Sequence, residues 1–186
     1  MPSPSQQGPL YFEGVEVGQC WVSPGRTITE TDIVNFAGMT GDYNPLHTDH
    51  EYCRGTPYGK PIAHGMLGMS LVAGLGGHSP WMQTAAFTRI VHWNFTRPLF
   101  VGDTVRVETE VTGKQSDAKR RGVITWRRRL LNQHDEVVQE GTTETLVLVD
   151  PTGPLATRTK PAAPFAEVEQ PPPAQQAAAN GTRSNN

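Results

Sequence analysis

His64-Gly65-Met66-Leu67-Gly68-Met69-Ser70-Leu71-Val72-Ala73-Gly74-Leu75-Gly76-Gly77 reads as a helix with no polar face. A helix that is apolar all round is a buried helix. Its glycines at 68, 74, 76 and 77 each cost about 1 kcal/mol relative to alanine where they are interior. That cost makes sense if a sheet packs very close against the helix. Everything downstream reads as strand. Ala86 to Arg97 is a long β pattern stopped by Pro98. Thr104 to Thr112 alternates, with Val105, Val107, Thr109 and Val111 on one face and Arg106, Glu108 and Glu110 on the other. Val123 to Leu131 and Val137 to Val149 follow, separated by the turn signal Asn132-Gln133-His134-Asp135. Long consecutive strands joined by short turns make an antiparallel sheet. The expected fold is α+β, an antiparallel sheet wrapped around one helix at about residues 64–77.

Upstream of the helix the pattern is turn-rich. Cys20-Trp21-Val22 is a short strand. Thr29-Glu30-Thr31-Asp32 opens a helix with a hydroxyl cap and acids in its first turn. Ile33, Phe36 and Ala37 give that helix an apolar face, and Gly38 and Gly41 end it. Asp42 to Pro45 reads as loop, because Asn44 precedes a proline. Asp49 is placed to cap a short turn through Cys53, and Gly55 to Pro61 is a further loop.

The patterned zone is residues 11–150, expected to be one domain. Residues 1–10 read as a flexible arm. Residues 151–186 are rich in Pro, Ala and Gln, with few large apolar side chains to offset their ordering entropy, and read as a disordered tail. The 16 Lys and Arg balance 18 Asp and Glu, which gives no electrostatic reason to expect nucleic acid or an acidic membrane as partner. The N-terminus carries no signal-peptide pattern, and no apolar run is long enough to span a bilayer. Two isolated cysteines, Cys20 and Cys53, argue against a disulfide framework or a zinc site and fit a reducing cytoplasm.

The residues that carry chemistry stand on either side of the loop. Gly41-Asp42-Tyr43-Asn44-Pro45-Leu46-His47 sets a carboxylate and an imidazole five residues apart. The same residues are ordinary turn formers, and that reading stays open at this level. As a pair, however, they can hold one water and move its proton near neutral pH. Gly65 stands at the start of the apolar helix, where backbone N–H groups lack partners and carry partial positive charge. With no side chain in the way, its N–H can meet a ligand oxygen.

These residues, with Pro61-Ile62-Ala63-His64-Gly65-Met66-Leu67, Phe95-Thr96-Arg97-Pro98-Leu99 and Val101-Gly102-Asp103-Thr104-Val105, resemble the MaoC-like dehydratases. That family includes the (R)-specific enoyl-CoA hydratases. The resemblance covers about residues 15–149. It implies a hot-dog fold, usually dimeric, and reversible syn hydration of a trans-2-enoyl thioester to a 3-hydroxyacyl thioester, usually of R configuration. It implies no metal or redox cofactor; an acyl-CoA or acyl-carrier thioester is the substrate. Carried over residue by residue, Asp42 and His47 match the catalytic dyad, Gly65 the donor to the thioester oxygen, and Asn44 a holder of the loop or of a catalytic neighbour. Some members have a serine at the position of Ala73; Ser70, one turn earlier, is the hydroxyl expected to stand in.

Met66, Met69, Trp81, Met82, Phe87 and Trp93 are candidates for an acyl tunnel, and equally for plain core. Lys119-Arg120-Arg121 and Arg127-Arg128-Arg129 are candidates for coenzyme A phosphates or for a solvated strand face. Alternation sends Arg128 to the face opposite its two neighbours. Two other functions suit such a fold, an acyl-CoA thioesterase and a non-catalytic acyl-thioester binding module. Residues 64–77 carry no Asp or Glu, which argues against thioesterases that place an acid on this helix.

Overall fold

The structure, a computed structural model, describes residues 8–117 and 120–153. Most of the expected arm and tail, and Lys119, lie outside the described residues. Leu10, assigned to the arm, belongs with the sheet domain instead. Its N–H donates to Trp81 O at 2.8 Å and its carbonyl accepts from Gln83 N–H at 2.7 Å.

Among the described residues the strands are β1 (Cys20–Val22), β2 (Arg26–Thr27), β3 (Thr84–Phe95), β4 (Thr104–Asp117), β5 (Arg121–Leu131) and β6 (Val137–Leu148). The sheet order is β1-β4-β5-β6-β3, with β2 also pairing β4. All these pairings are antiparallel. The helices are α1 (Glu30–Thr40), α2 (Pro45–Thr48), α3 (His50–Arg54) and α4 (Gly65–Gly76). The alternation along β4 is realised: Val105, Val107, Thr109 and Val111 are all buried. Leu67 and Val72 of α4 pack with Val105, Val107, Leu130 and Val138 in one core cluster. A second cluster, around Phe12, Val15 and Trp126, fills the far end of the sheet.

One expectation about α4 is corrected. Leu67, Gly68, Met69, Val72 and Gly76 are buried, but Met66, Ser70, Ala73 and Gly74 are exposed. Those exposed positions fall three and four residues apart, on one helical face. The sheet curls over one side of the helix only, so this chain leaves the other side bare. Composition gave no warning, because the bare face is built from small and apolar residues too.

Upstream, α1 begins with a reciprocal cap. Thr29 Oγ1 accepts from Asp32 N–H, and Asp32 Oδ2 accepts from Thr29 N–H at 2.8 Å. The helix runs through Gly38 and stops at Gly41, whose φ of 76° is left-handed and whose N–H closes on Ala37 O. A side chain there would be strained. Pro45, expected in loop, is the first residue of α2, where a proline suits a helix because its missing N–H would have no partner.

The arginine triplet on β5 divides as alternation predicts. Arg127 and Arg129 pair with Glu110 and Glu108 across the β4 ladder on a partly solvated strand face. Arg128 faces inward at 5% exposure, with its guanidinium carbon 5.6 Å from the Trp126 ring. Among the described residues it makes no ion pair, and its Nε has no hydrogen-bond partner. Burial pushes its guanidinium well below the usual arginine range, to about 10, a cost of roughly 3 kcal/mol at neutral pH. A lowered base pKa in the fold means the unfolded chain binds the proton better. The cost is therefore fully present below pH 10 and is relieved as pH rises above it towards the ordinary arginine range. Arg128→Met is expected to gain about 1–3 kcal/mol at pH 7, read as a higher urea midpoint. An unchanged or lower midpoint would show that the cation has a stabilising partner.

Candidate active site

The loop between α1 and α2 places both members of the expected dyad, Asp42 and His47. Gly41 turns the chain so that Asp42 leaves α1 beside His64. Asp42 Oδ1 accepts from Asn44 N–H at 3.2 Å. Asn44 then caps α2 through Oδ1, which accepts from Leu46 N–H at 3.0 Å, and its carbonyl accepts from His47 N–H at 2.8 Å. The holding role expected of Asn44 thus has a definite form: it fixes the short helix that carries His47.

His47 is oriented from behind. Its Nδ1 lies 2.7 Å from Ile62 O. A carbonyl only accepts, so Nδ1 carries the hydrogen and the Nε2 lone pair faces forward. Nε2 stands 4.0 Å from Asp42 Oδ2. This gap is too wide for a direct hydrogen bond. It suits one water bonded to both groups at about 2.8 Å, with an angle of roughly 90° at the water oxygen. His47 is 13% exposed and Asp42 52%, so the imidazole is sheltered while the carboxylate meets solvent.

A residue given no role by the sequence reading completes the arrangement. His64, 3% exposed, stacks on His47 with ring centres 3.8 Å apart and planes 28° apart. Its Nε2 donates to the Asp42 carbonyl at 2.9 Å. Phe36 of α1 covers it at 5.0 Å. One side chain therefore holds the backbone of one dyad member and the ring of the other. The signal available in the sequence was its place just before Gly65, but 22 residues separate it from Asp42, and only the fold joins them. One ligand atom from each of Asp42, His47 and His64 lies within 4.8 Å of the others. Among the described residues these three are the group able to hold a cation.

Gly65 is the first residue of α4, after His64 in an extended conformation (φ −57°, ψ 137°). Among the described residues its N–H has no acceptor. Gly65 and His47 share the wall of one cavity of about 270 Å³, with Tyr58, Phe95, Arg97 and Gln139. Asp42 is not in that wall and reaches the site across His47. His47 also lines a second cavity of about 170 Å³, with Ile33, Val34, Lys60 and Val101. Ser70 is not brought to this site. It lies on the bare face of α4 and donates to Met66 O at 2.8 Å. Of the tunnel candidates, Met69 and Met82 are core, Met66, Trp81 and Phe87 are exposed, and Trp93 is half-buried.

A family model described as MaoC like domain matches residues 16–129. The chain belongs to the MaoC-like dehydratase family. Among its relatives, a 3-hydroxybutyryl-CoA dehydratase of Methylorubrum extorquens is 34% identical over 153 residues, 80% of this chain and 92% of that protein. An (R)-specific enoyl-CoA hydratase of Rhodospirillum rubrum is 36% identical over 110 residues, 59% of this chain and 74% of that protein. A solved Archaeoglobus structure, described as a monoamine oxidase regulatory protein, has a TM-score of 0.71 at 38% identity and covers 77% of this chain and 97% of its own. The wrapped helix of this MaoC-like chain is the hot-dog fold. No helix among its described residues is long and apolar enough to cross a membrane.

Proposed function

We propose that this chain is a hydro-lyase that adds water reversibly to a trans-2-enoyl thioester, giving the 3-hydroxyacyl thioester of R configuration. The observation that carries the reading is the water-sized gap between His47 and Asp42, with the Gly65 N–H, which has no acceptor among the described residues, in the same cavity wall as His47. The relatives named as (R)-specific hydratase and hydroxybutyryl-CoA dehydratase support it.

The thioester draws electrons from the double bond, so the β-carbon accepts oxygen while charge gathers on the carbonyl oxygen. The held water forms its bond to the β-carbon as its proton passes to His47 Nε2. The π pair moves to the thioester oxygen, which the Gly65 N–H stabilises. The α-carbon then takes a proton from the pair, with Asp42 handing it on, and the dyad returns to its starting protonation. Both groups lie on one side of the alkene, so H and OH add to one face. These steps need proton transfer and one polarised carbonyl, and side chains and backbone supply both. We accordingly propose that no metal or redox cofactor takes part, and that a chelator leaves turnover unchanged.

The test is crotonyl-CoA. Loss of enoyl absorbance with 3-hydroxybutyryl-CoA formed supports hydration. Release of free thiol would mean a thioesterase, and tight binding with no turnover would mean a binding module. Chiral analysis of the product settles the configuration. Free Cys20 and Cys53 support a cytoplasmic setting.

We also infer that the working form is a homodimer. β3 is an edge of the sheet. Its Phe87, Ile90 and Phe95 pair with Thr145, Thr143 and Gln139, inward-facing residues of β6, so they point to the helix side while remaining exposed. With Met66 on the bare side of α4, they make up an exposed apolar set. A second copy would cover it and pair the edge. Phe95 also lines the Gly65 cavity, so pairing would close the site. Ile90→Glu is expected to give a monomer by light scattering and to lose most hydration activity. A dimer of unchanged mass would refute this interface.

A further inference from the structure

The structure assigns Gln139 as a positioning residue for the Gly65 donor, with Gly68 as the position that makes room for it; this rests on Gly65 being the group that binds the thioester oxygen. Gln139 lies on β6 and is 2% exposed. Trp93 Nε1, which can only donate, gives its hydrogen to Gln139 Oε1 at 3.1 Å. That fixes which end of the amide is which, and Nε2 donates to Gly65 O at 3.0 Å. The chain Trp93–Gln139–Gly65 thus runs from the edge strand to the first residue of α4.

Gly68 explains itself in this light. A Cβ there would stand 2.2 Å from Gln139 Nε2 and 2.9 Å from its Cδ. The amide occupies the volume that any other residue would fill. A glycine inside a helix costs about 1 kcal/mol, and here it admits the amide that tethers Gly65.

The tether matters because of what Gly65 lacks. Without a Cβ, its backbone dihedrals are loosely restrained, and it is the residue whose N–H must point at one oxygen. A Cβ is unwelcome there, since it would meet the Phe95 ring at 3.1 Å. Holding the carbonyl of Gly65 supplies from the sheet the restraint that a side chain would otherwise give. Gln139 does not touch the reacting atoms in this scheme; it acts through Gly65.

The test uses Gln139→Met, which keeps the bulk and removes the donor, and Gly68→Ala, which keeps Gln139 and displaces its amide. Each is expected to lower kcat for crotonyl-CoA hydration by about 10–100-fold, the scale of a small misplacement at the reacting centre, with KM within about threefold. A second readout separates positioning from simple destabilisation. A conjugated dienoyl-CoA bound to the parent protein should absorb to the red of the free ester, because a polarised carbonyl extends the conjugation. In both variants it should bind with that shift reduced. A parent-like kcat and red shift in Gln139→Met overturn the assignment; if that variant does not fold, the same result in Gly68→Ala does so. If the parent protein itself neither hydrates nor shifts the dienoyl ester, it is the reading of Gly65 that has failed.

Discussion

Asp42→Asn and His47→Ala each lower the hydration rate by at least ~10²-fold, the expected consequence of removing one partner of an acid–base pair. The asparagine variant is the cleaner experiment. Asn keeps an oxygen able to accept from Asn44 N–H, and the Asp42 carbonyl that His64 holds is backbone. The loop should survive with only charge and basicity lost, so KM and the unfolding midpoint stay near the parent values while kcat falls. His47→Ala removes more. It deprives Ile62 O of its donor and uncovers the stacked face of His64, so its loss of activity must be read beside its stability. Stopped-flow loss of enoyl absorbance measures both. Turnover within tenfold of the parent in Asp42→Asn, with the fold intact, would remove the carboxylate from the mechanism.

Gly65→Pro is the second large effect. Proline deletes the N–H and nothing else of the helix, because the first helical position tolerates it. His64 already has the extended backbone that a residue before proline adopts. The new side-chain atoms would press on Phe95, since a Cβ alone meets that ring at 3.1 Å. Gly65→Ala carries the same Cβ and keeps the N–H, so the ratio between the two variants isolates the donor. A factor of about 10²–10³ is expected in kcat. Equal rates for the two would mean that the amide binds no developing charge and that the crowding of Phe95 accounts for any loss.

The parts of this molecule that depend on short-range pattern were legible in the chain. Thr29 and Asp32 announce the start of α1, and Gly41 its end, because caps are local chemistry. Val105 to Val111 show their buried face because a strand alternates strictly. Asp42 and His47 could be paired because one loop and one turn of helix separate them. Pro45 is ambiguous from the chain alone, since a proline that bars a preceding helix can equally begin the next one, as it does here. Ser70 has the sequence neighbourhood of a site residue, but its hydroxyl is engaged by its own helix.

Local order in the chain therefore determined the strands, the apolar helix and the two titratable groups, since these follow from periodicity and from residues a few bonds apart. Only the tertiary structure decided that His64 clasps the dyad, that Gln139 reaches Gly65 through the space left at Gly68, and that one side of α4 is bare. Each of these joins groups separated in the chain, or depends on which side of a helix a curved sheet covers. Packing in three dimensions sets both.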